Sequence, residues 1–143
     1  RVEFEKKWMQ VYQVPVNIKQ AIICLPAKIY MNKLVVIPFQ KVLDALIEKG
    51  IHVEIKTYNG CFNPRYQRGS HTRLSEHSWG SAFDFNAETN PLVRKVTPAN
   101  RFELRKKYVT WSEPFLQVWR DHNFSCGADW LRSLDGMHFE YNF

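Results

Sequence analysis

The sequence predicts a small α+β domain in which a central, mainly antiparallel sheet is flanked by helices. The chain has 143 residues, of which 45% are hydrophobic and 24% charged, a composition that suits one compact domain with a sizeable core. Segments with helical and with strand periodicity both occur, but they are not arranged as regular βαβ repeats. We therefore expect residues 1–143 to form a single domain, although residues 1–28 show no clear pattern.

Two helices are predicted from their apolar spacing. Residues 38–50, PFQKVLDALIEKG, begin with proline and end with glycine, which are favoured at the two ends of a helix. Residues 112–122, SEPFLQVWRDH, begin with Ser112 as a candidate N-cap. The side chains expected to face the core are Phe39, Val42, Leu43, Leu46 and Ile47 in the first helix, and Phe115, Val118, Trp119 and His122 in the second.

Two further segments show the two-residue period of strands. Residues 51–58, IHVEIKTY, alternate between apolar and polar side chains and predict a strand with Ile51, Val53 and Ile55 facing inward. Residues 135–143, DGMHFEYNF, begin with an Asp-Gly turn and continue as a strand. The core face of that strand would hold Met137, Phe139 and Tyr141. The opposite face would then hold His138 and Glu140.

A third strand is predicted for residues 81–86, SAFDFN, and it carries a carboxylate between two phenylalanines. A carboxylate among aromatic side chains is costly unless it is paired, hydrogen-bonded or bound to a metal. In a strand, Asp84 and Ala82 face away from the two phenylalanines, so Asp84 looks into a cleft. His77 precedes the strand by a turn through Gly80, and its imidazole could fold back towards Asp84.

Two histidines and one carboxylate can therefore meet in one cleft, namely His77, Asp84 and His138. Three nitrogen and oxygen ligands with a fourth position left for water are the arrangement expected of catalytic zinc. Structural zinc usually closes its shell with thiolates, and no cysteine lies beside these residues in the sequence. The sequence thus predicts one catalytic zinc ion held by these three side chains.

The motifs SEHSWGSAFDFN and DGMHFEY resemble those of the zinc D-alanyl-D-alanine carboxypeptidase and L-alanyl-D-glutamate endopeptidase family. This family includes VanY-like enzymes and phage endolysins, in a wider group that contains hedgehog-type domains. The resemblance covers roughly residue 29 to the C-terminus, and NGCFNPRYQRG and GADWLRSLDGMHFE are similar to the phage-type branch. It implies a hedgehog-like fold and a peptidoglycan peptidase whose zinc is held by His77, Asp84 and His138.

Asp135 is the candidate general base. Many family members have Glu three residues before the last histidine, whereas this chain has Asp135, as in the endolysin-like branch. Gly136 would let the chain swing that carboxylate over the metal, where it could take a proton from water and pass it to the leaving amine. The alternative is that Asp135 is only a turn former, which an Asp-Gly pair also predicts.

The loop before the first motif supplies candidate substrate ligands. Arg65 and Arg68 could clamp a substrate carboxylate through bidentate hydrogen bonds, and the resemblance favours Arg65. Ser75 could bind substrate or orient a ligand, and Trp79 and Trp130 could line a groove. The alternative for the two arginines is that they are solvated loop charges. The alternative for the two tryptophans is ordinary aromatic packing. We expect no catalytic role for His71, His122 or Glu140, although Glu140 could orient a neighbouring ligand.

The charge balance indicates a polyanionic partner. The chain has 20 Lys and Arg against 14 Asp and Glu, a formal net charge of +6, which suits nucleic acid, an anionic membrane or an acidic cell wall. The family resemblance favours the cell wall and its stem peptide. An inactive zinc-containing module that binds the wall or another partner is the alternative. A metal nuclease is disfavoured, because the DHN triplet of residues 121–123 falls inside a helical pattern without partner histidines.

We expect the protein to act at the bacterial cell wall, as a periplasmic, secreted or phage-delivered protein. We also expect it to be a monomer. The sequence contains no apolar run of membrane-span length and no signal-peptide core in RVEFEKKW, while a start without Met leaves a removed leader or neighbouring domain open. The three cysteines, Cys24, Cys61 and Cys126, match no zinc motif. We expect buried free thiols, with a bridge between Cys61 and Cys126 as the alternative.

Overall fold

The computed structural model describes residues 2–62, 74 and 76–143, and these residues form five α-helices and eight strands. The helices are α1 (Val2–Trp8), α2 (Val16–Ala21), α3 (Val36–Glu48), α4 (Arg101–Tyr108) and α5 (Glu113–Asp121). The strands are β1 (Met9–Gln13), β2 (Lys28–Asn32), β3 (Tyr58–Gly60), β4 (Ala82–Phe85), β5 (Leu92–Val93), β6 (Phe124–Cys126), β7 (Leu134–Asp135) and β8 (His138–Tyr141). Mixed helices and antiparallel strands confirm the predicted α+β class.

The strands form three antiparallel sheets among the described residues. The largest has the order β3-β4-β8-β6, and two-stranded sheets pair β1 with β2 and β5 with β7. In the large sheet, β4 and β8 pair so that Phe83 lies opposite Phe139 and Asp84 lies opposite His138. Directly opposed residues of an antiparallel pair share a face of the sheet. One face is therefore aromatic, and the other holds the polar pair, as the sequence predicts.

The aromatic face packs against α3 and α5 to form the core. Phe39 of α3 stacks on Phe83, with ring centroids 4.1 Å apart, and Trp119 of α5 stacks on Phe139 at 4.3 Å. All four side chains are fully buried. Because this face is anchored by large interlocking rings, the backbone that carries Asp84 and His138 on the opposite face is held firmly in place.

Both predicted helices are confirmed. In α3 the buried residues are Phe39, Val42, Leu43 and Leu46, while Ile47 is half-buried, and the helix begins two residues before Pro38. In α5, Ser112 is the N-cap, since its hydroxyl accepts a hydrogen bond of 3.3 Å from the backbone N–H of Phe115. His122 is half-buried at the C-terminal end, where its Nδ1 lies 2.7 Å from the carbonyl oxygen of Val118.

The strand predicted for residues 51–58 is wrong over most of its length. A 3-10 turn spans Ile51–Glu54, β3 starts only at Tyr58, and Val53 is 58% exposed instead of facing inward. The amide of Asn86 explains the difference, because it replaces a strand partner for this segment. Its Oδ1 accepts hydrogen bonds from the backbone N–H groups of Lys56 and Thr57, and its Nδ2 donates to the carbonyl of Glu54.

The N-terminal segment without a clear sequence pattern is folded and supports the rest of the chain. It supplies α1, β1 and α2, and its residues Tyr12, Val14, Ile18, Ile22 and Leu25 belong to the core.

The cysteines are free thiols, of which Cys61 and Cys126 are buried and Cys24 is half-buried, so the bridged alternative does not hold here. None of the described helices has the length and apolar character that a membrane span requires.

Candidate metal centre

His77, Asp84 and His138 converge on the polar face of the large sheet, as their sequence pattern predicts. Asp84 Oδ2 lies 3.2 Å from His77 Nε2, and Asp84 Oδ1 lies 3.5 Å from His138 Nδ1. One ligand atom from each of the three side chains lies within 4.8 Å of the others. Both histidines are buried, and Asp84 is half-buried. This group could hold a metal ion.

The turn between His77 and β4 depends on Gly80. His77 lies on a 3-10 turn, Glu76–Trp79, and Gly80 follows with φ at +66°, a left-handed conformation that L side chains rarely adopt. A Cβ at Gly80 would also lie 2.8 Å from the backbone nitrogen of Asn32. That nitrogen donates a 3.0 Å hydrogen bond to the Gly80 carbonyl, so the end of β2 holds the turn that aims His77 at Asp84.

In each imidazole, the ring nitrogen that does not face Asp84, here called the outer nitrogen, lies beside a group that can only accept a hydrogen bond. His77 Nδ1 lies 2.7 Å from the carbonyl oxygen of Cys61, and His138 Nε2 lies 2.8 Å from a carboxylate oxygen of Glu140. The outer nitrogen must therefore carry the proton in both rings. In the neutral rings, the lone pairs of His77 Nε2 and His138 Nδ1 consequently face Asp84.

The charges of the site favour an ionised Asp84. Burial by itself would raise the pKa of Asp84, but His138 and His77 outweigh burial and lower the pKa to about 2. Burial likewise opposes the charged form of His138, but the carboxylates of Asp84 and Glu140 raise the pKa of His138 to about 9. The carboxylates of Asp84 and Glu140 therefore make this pocket attractive to positive charge.

The residues present fit a divalent metal ion. Asp84 Oδ1 is buried, and among the described residues its contact with His138 Nδ1, at 3.5 Å, is too long for a well-formed hydrogen bond. A buried carboxylate oxygen without a donor is costly, and a cation beside two imidazole lone pairs would satisfy it. Two imidazoles and one carboxylate are a ligand set that zinc accepts.

Asp135 is half-buried on β7, just before the turn that leads into His138, and does not belong to the three-residue group found among the described residues. Its turn is held from three sides. Trp111 Nε1 donates a 2.7 Å hydrogen bond to the carbonyl of Gly136, and the N–H of Met137 donates to the carbonyl of Asn90 at 3.1 Å. On the third side, a Cβ at Gly127 would collide with the carbonyl group of Asp135, so close packing there requires glycine.

Trp130 lies beside the metal group, with its ring centroid 5.3 Å from that of His138. Two arginines of α4 fix the backbone around it. Arg101 Nε donates to the carbonyl of Trp130 at 3.0 Å, and Arg105 Nε donates to the carbonyl of Ala128 at 3.1 Å. The half-buried Trp130 is therefore held beside His138.

Several predicted residues do not join the site or cannot be placed. Arg65, Arg68, His71 and Ser75 lie outside the described residues. Trp79 is 37% exposed and packs against Phe4 of α1, with ring centroids 5.3 Å apart. The triplet of residues 121–123 ends α5 and contributes nothing to the metal group found in the described chain.

Among the groups that support the site, sequence reasoning found Glu140 and missed the others. Residues two apart in a strand share a face, which is why the sequence could place Glu140 beside His138. The carbonyl of Cys61 carries no sequence signal, since every residue has one. Asn90 and Trp111 reach the Asp135 turn only through tertiary folding, and neither stands in a motif.

Comparison with known proteins places this geometry in a family. A family model described as D-alanyl-D-alanine carboxypeptidase matches residues 68–141, which is more than half of the chain. The matched range contains His77, Asp84, Asp135 and His138, and peptidases of this family are metal-dependent. Neither the curated proteins nor the solved structures give a match to this chain. Because the matched range contains the whole metal-binding group, the chain belongs to the D-alanyl-D-alanine carboxypeptidase family.

Proposed function

We propose that the protein is a zinc-dependent peptidoglycan peptidase that hydrolyses one peptide bond of the bacterial stem peptide. The bond is either L-alanyl-D-glutamate, as in the phage endolysin branch, or D-alanyl-D-alanine, as in VanY-like enzymes. The observation that carries the proposal is the convergence of His77 Nε2, Asp84 and His138 Nδ1, with both outer nitrogens held, in a chain of this peptidase family.

The residues around the metal would divide the chemistry between them. Zinc held by His77, Asp84 and His138 would supply the Lewis acidity that activates water and polarises the scissile carbonyl. Asp135 takes the proton of the attacking water and passes it to the leaving amine. The held turn between β7 and β8 supports this role, because a proton acceptor must keep its position during turnover.

Substrate binding is assigned to Trp130 and to three residues that precede the first proposed metal ligand in the sequence. Arg65 and Arg68 clamp a carboxylate of the stem peptide, with Arg65 as the main contact, and Ser75 supports the substrate or a ligand. Trp130 packs against the peptide, a role supported by its place beside His138. The single domain acts as a monomer at the anionic cell wall, where its positive charge attracts it.

The test is digestion of purified peptidoglycan by the zinc-loaded protein, followed by mass spectrometry of the released peptides. New amino-terminal D-glutamate would identify the L-alanyl-D-glutamate bond, and free D-alanine would identify the D-alanyl-D-alanine bond. Intact peptides beside stoichiometric zinc would instead identify an inactive zinc-containing binding module. The absence of both zinc and cleavage would overturn the proposal entirely.

A His138→Ala variant tests the metal site itself. We expect it to lose an imidazole ligand and with it most of the zinc and most of the peptidase activity, while the fold persists on its aromatic core. The matched control is His122→Ala, which removes a half-buried histidine at the end of α5. Normal zinc content and normal turnover in His138→Ala would contradict the assignment.

A further inference from the structure

We propose that Glu140 is a positioning residue that fixes the tautomer of His138 and thereby decides which nitrogen this ring presents to the metal ion. The inference rests on the metal centre of the proposed function, but not on the reaction assigned to it. It concerns a residue outside the ligand set, to which the sequence motif assigns no catalytic role.

The position of Glu140 follows from strand geometry. His138 and Glu140 are two residues apart in β8 and therefore point to the same face of the sheet. β8 lies inside the four-stranded sheet, where Glu140 is opposed by Ala82 on β4 and by Ser125 on β6. The backbone of Glu140 is thus hydrogen-bonded on both sides and cannot shift easily. From this position its carboxylate lies 2.8 Å from His138 Nε2.

Only one neutral tautomer of His138 is compatible with this contact. A carboxylate has lone pairs but no proton to donate, so a bare Nε2 at 2.8 Å would bring two lone pairs together. With the proton on Nε2, the hydrogen bond forms and the lone pair of Nδ1 faces Asp84. Metal-binding histidines commonly have their outer N–H oriented in this way by a carboxylate or carbonyl, which also makes the ring a better donor.

The tautomers of the two histidines are fixed by different kinds of hydrogen-bond partner, and this difference makes the inference testable. The partner of His77 is a backbone carbonyl, that of Cys61, which no side-chain substitution removes. The partner of His138 is a side chain, that of Glu140, which is 23% exposed. Substitution of Glu140 should therefore disturb one ligand and leave the other unchanged.

The first measurement is the Zn²⁺ dissociation constant, obtained by competition with a chromophoric chelator. We expect Glu140→Leu, which removes the acceptor, to raise this constant about 10- to 100-fold, the usual effect of losing such a partner. Glu140→Gln keeps an acceptor oxygen but loses the charge, so its constant should lie between those of the wild type and Glu140→Leu. Glu88→Gln removes an exposed charge on the loop after β4 and should leave the constant unchanged.

The second measurement is the long-range ¹H–¹⁵N spectrum of the imidazoles in the zinc-loaded protein, which shows directly which nitrogen is coordinated. In the wild type and in Glu140→Gln, we expect coordination through His77 Nε2 and His138 Nδ1. In Glu140→Leu, the His77 signals should persist, while those of His138 should shift or split between two coordination modes. A purely structural role of Glu140 would not change the coordinating nitrogen of one ring alone.

Unchanged zinc affinity together with unchanged Nδ1 coordination in Glu140→Leu would overturn the inference. If Glu140→Leu does not fold, Glu140→Gln decides instead, and an affinity equal to that of the wild type would then count against it. Zinc binding without any cleavage of peptidoglycan by the wild type would remove the proposed reaction but leave this inference standing. A wild-type protein that binds no zinc would overturn both.

Discussion

Substitution of Asp135 can show whether this residue acts as a proton acceptor or as a metal ligand. We expect Asp135→Asn to keep the side-chain shape and near-normal zinc content but to lower turnover of a stem peptide by about a hundred- to ten-thousand-fold, the usual effect of losing a general base. The physical reason is that an amide cannot take up the proton of the attacking water. Zinc stoichiometry and turnover measured on the same preparation check this expectation.

The longer homologue Asp135→Glu is the matched control for reach. Glu is the residue that the family resemblance implies at this place in many relatives, so partial activity in Asp135→Glu would indicate that the site tolerates the longer side chain. Loss of zinc from Asp135→Asn would make the residue a ligand. Full turnover with full zinc in Asp135→Asn would make it only a turn former.

At the scale of elements, the turn between β7 and β8 is held by a residue that precedes α5. Trp111 stacks on Phe115, with ring centroids 4.2 Å apart, and donates its indole N–H to the carbonyl of Gly136. Trp111→Phe preserves the stacking but leaves that carbonyl without its donor, a change that costs about 1–3 kcal/mol when the group is buried. We expect the turn to loosen and kcat to fall several-fold, while zinc content and KM remain close to those of the wild type.

Trp119→Phe is the matched control for this prediction. Trp119 is fully buried like its neighbours, but its indole nitrogen makes no hydrogen bond to any described residue. This variant therefore loses ring volume without losing a hydrogen bond, and it should lower the melting temperature with little effect on kcat. Equal kcat values for Trp111→Phe and Trp119→Phe would show that the indole hydrogen bond does not position Asp135.

At the scale of the whole molecule, the net charge of +6 should concentrate the enzyme on its anionic substrate. Such attraction is screened by salt, because the Debye length falls to about 3 Å at 1 M ionic strength. We expect binding to intact cell wall to weaken with salt more than cleavage of a short soluble stem peptide does. Sedimentation of the protein with wall material and turnover of the peptide, measured over one salt series, provide the comparison, and equal salt responses would exclude charge steering.

The sequence by itself determined which side chains face the site, because that information is local. Strand alternation put Asp84 on the face opposite Phe83 and Phe85, and the same period put His138 opposite the core. The ends of α5 were also readable, since Ser112 caps the helix through its own neighbours. Local periodicity and capping are consequences of backbone geometry, so they hold before any tertiary contact forms.

Tertiary structure decided the conformation of segments whose local pattern is overridden by distant residues, and the contacts for which the sequence holds no local pattern. Residues 51–58 alternate like a strand, yet Asn86, distant in the sequence, binds their backbone and a 3-10 turn forms instead. The tautomer of His77 depends on the carbonyl of Cys61, and the position of Asp135 depends on Trp111. These contacts join residues far apart in the chain, and which backbone groups meet is settled only when the aromatic core has packed, since periodicity fixes the face of a side chain but not its partner.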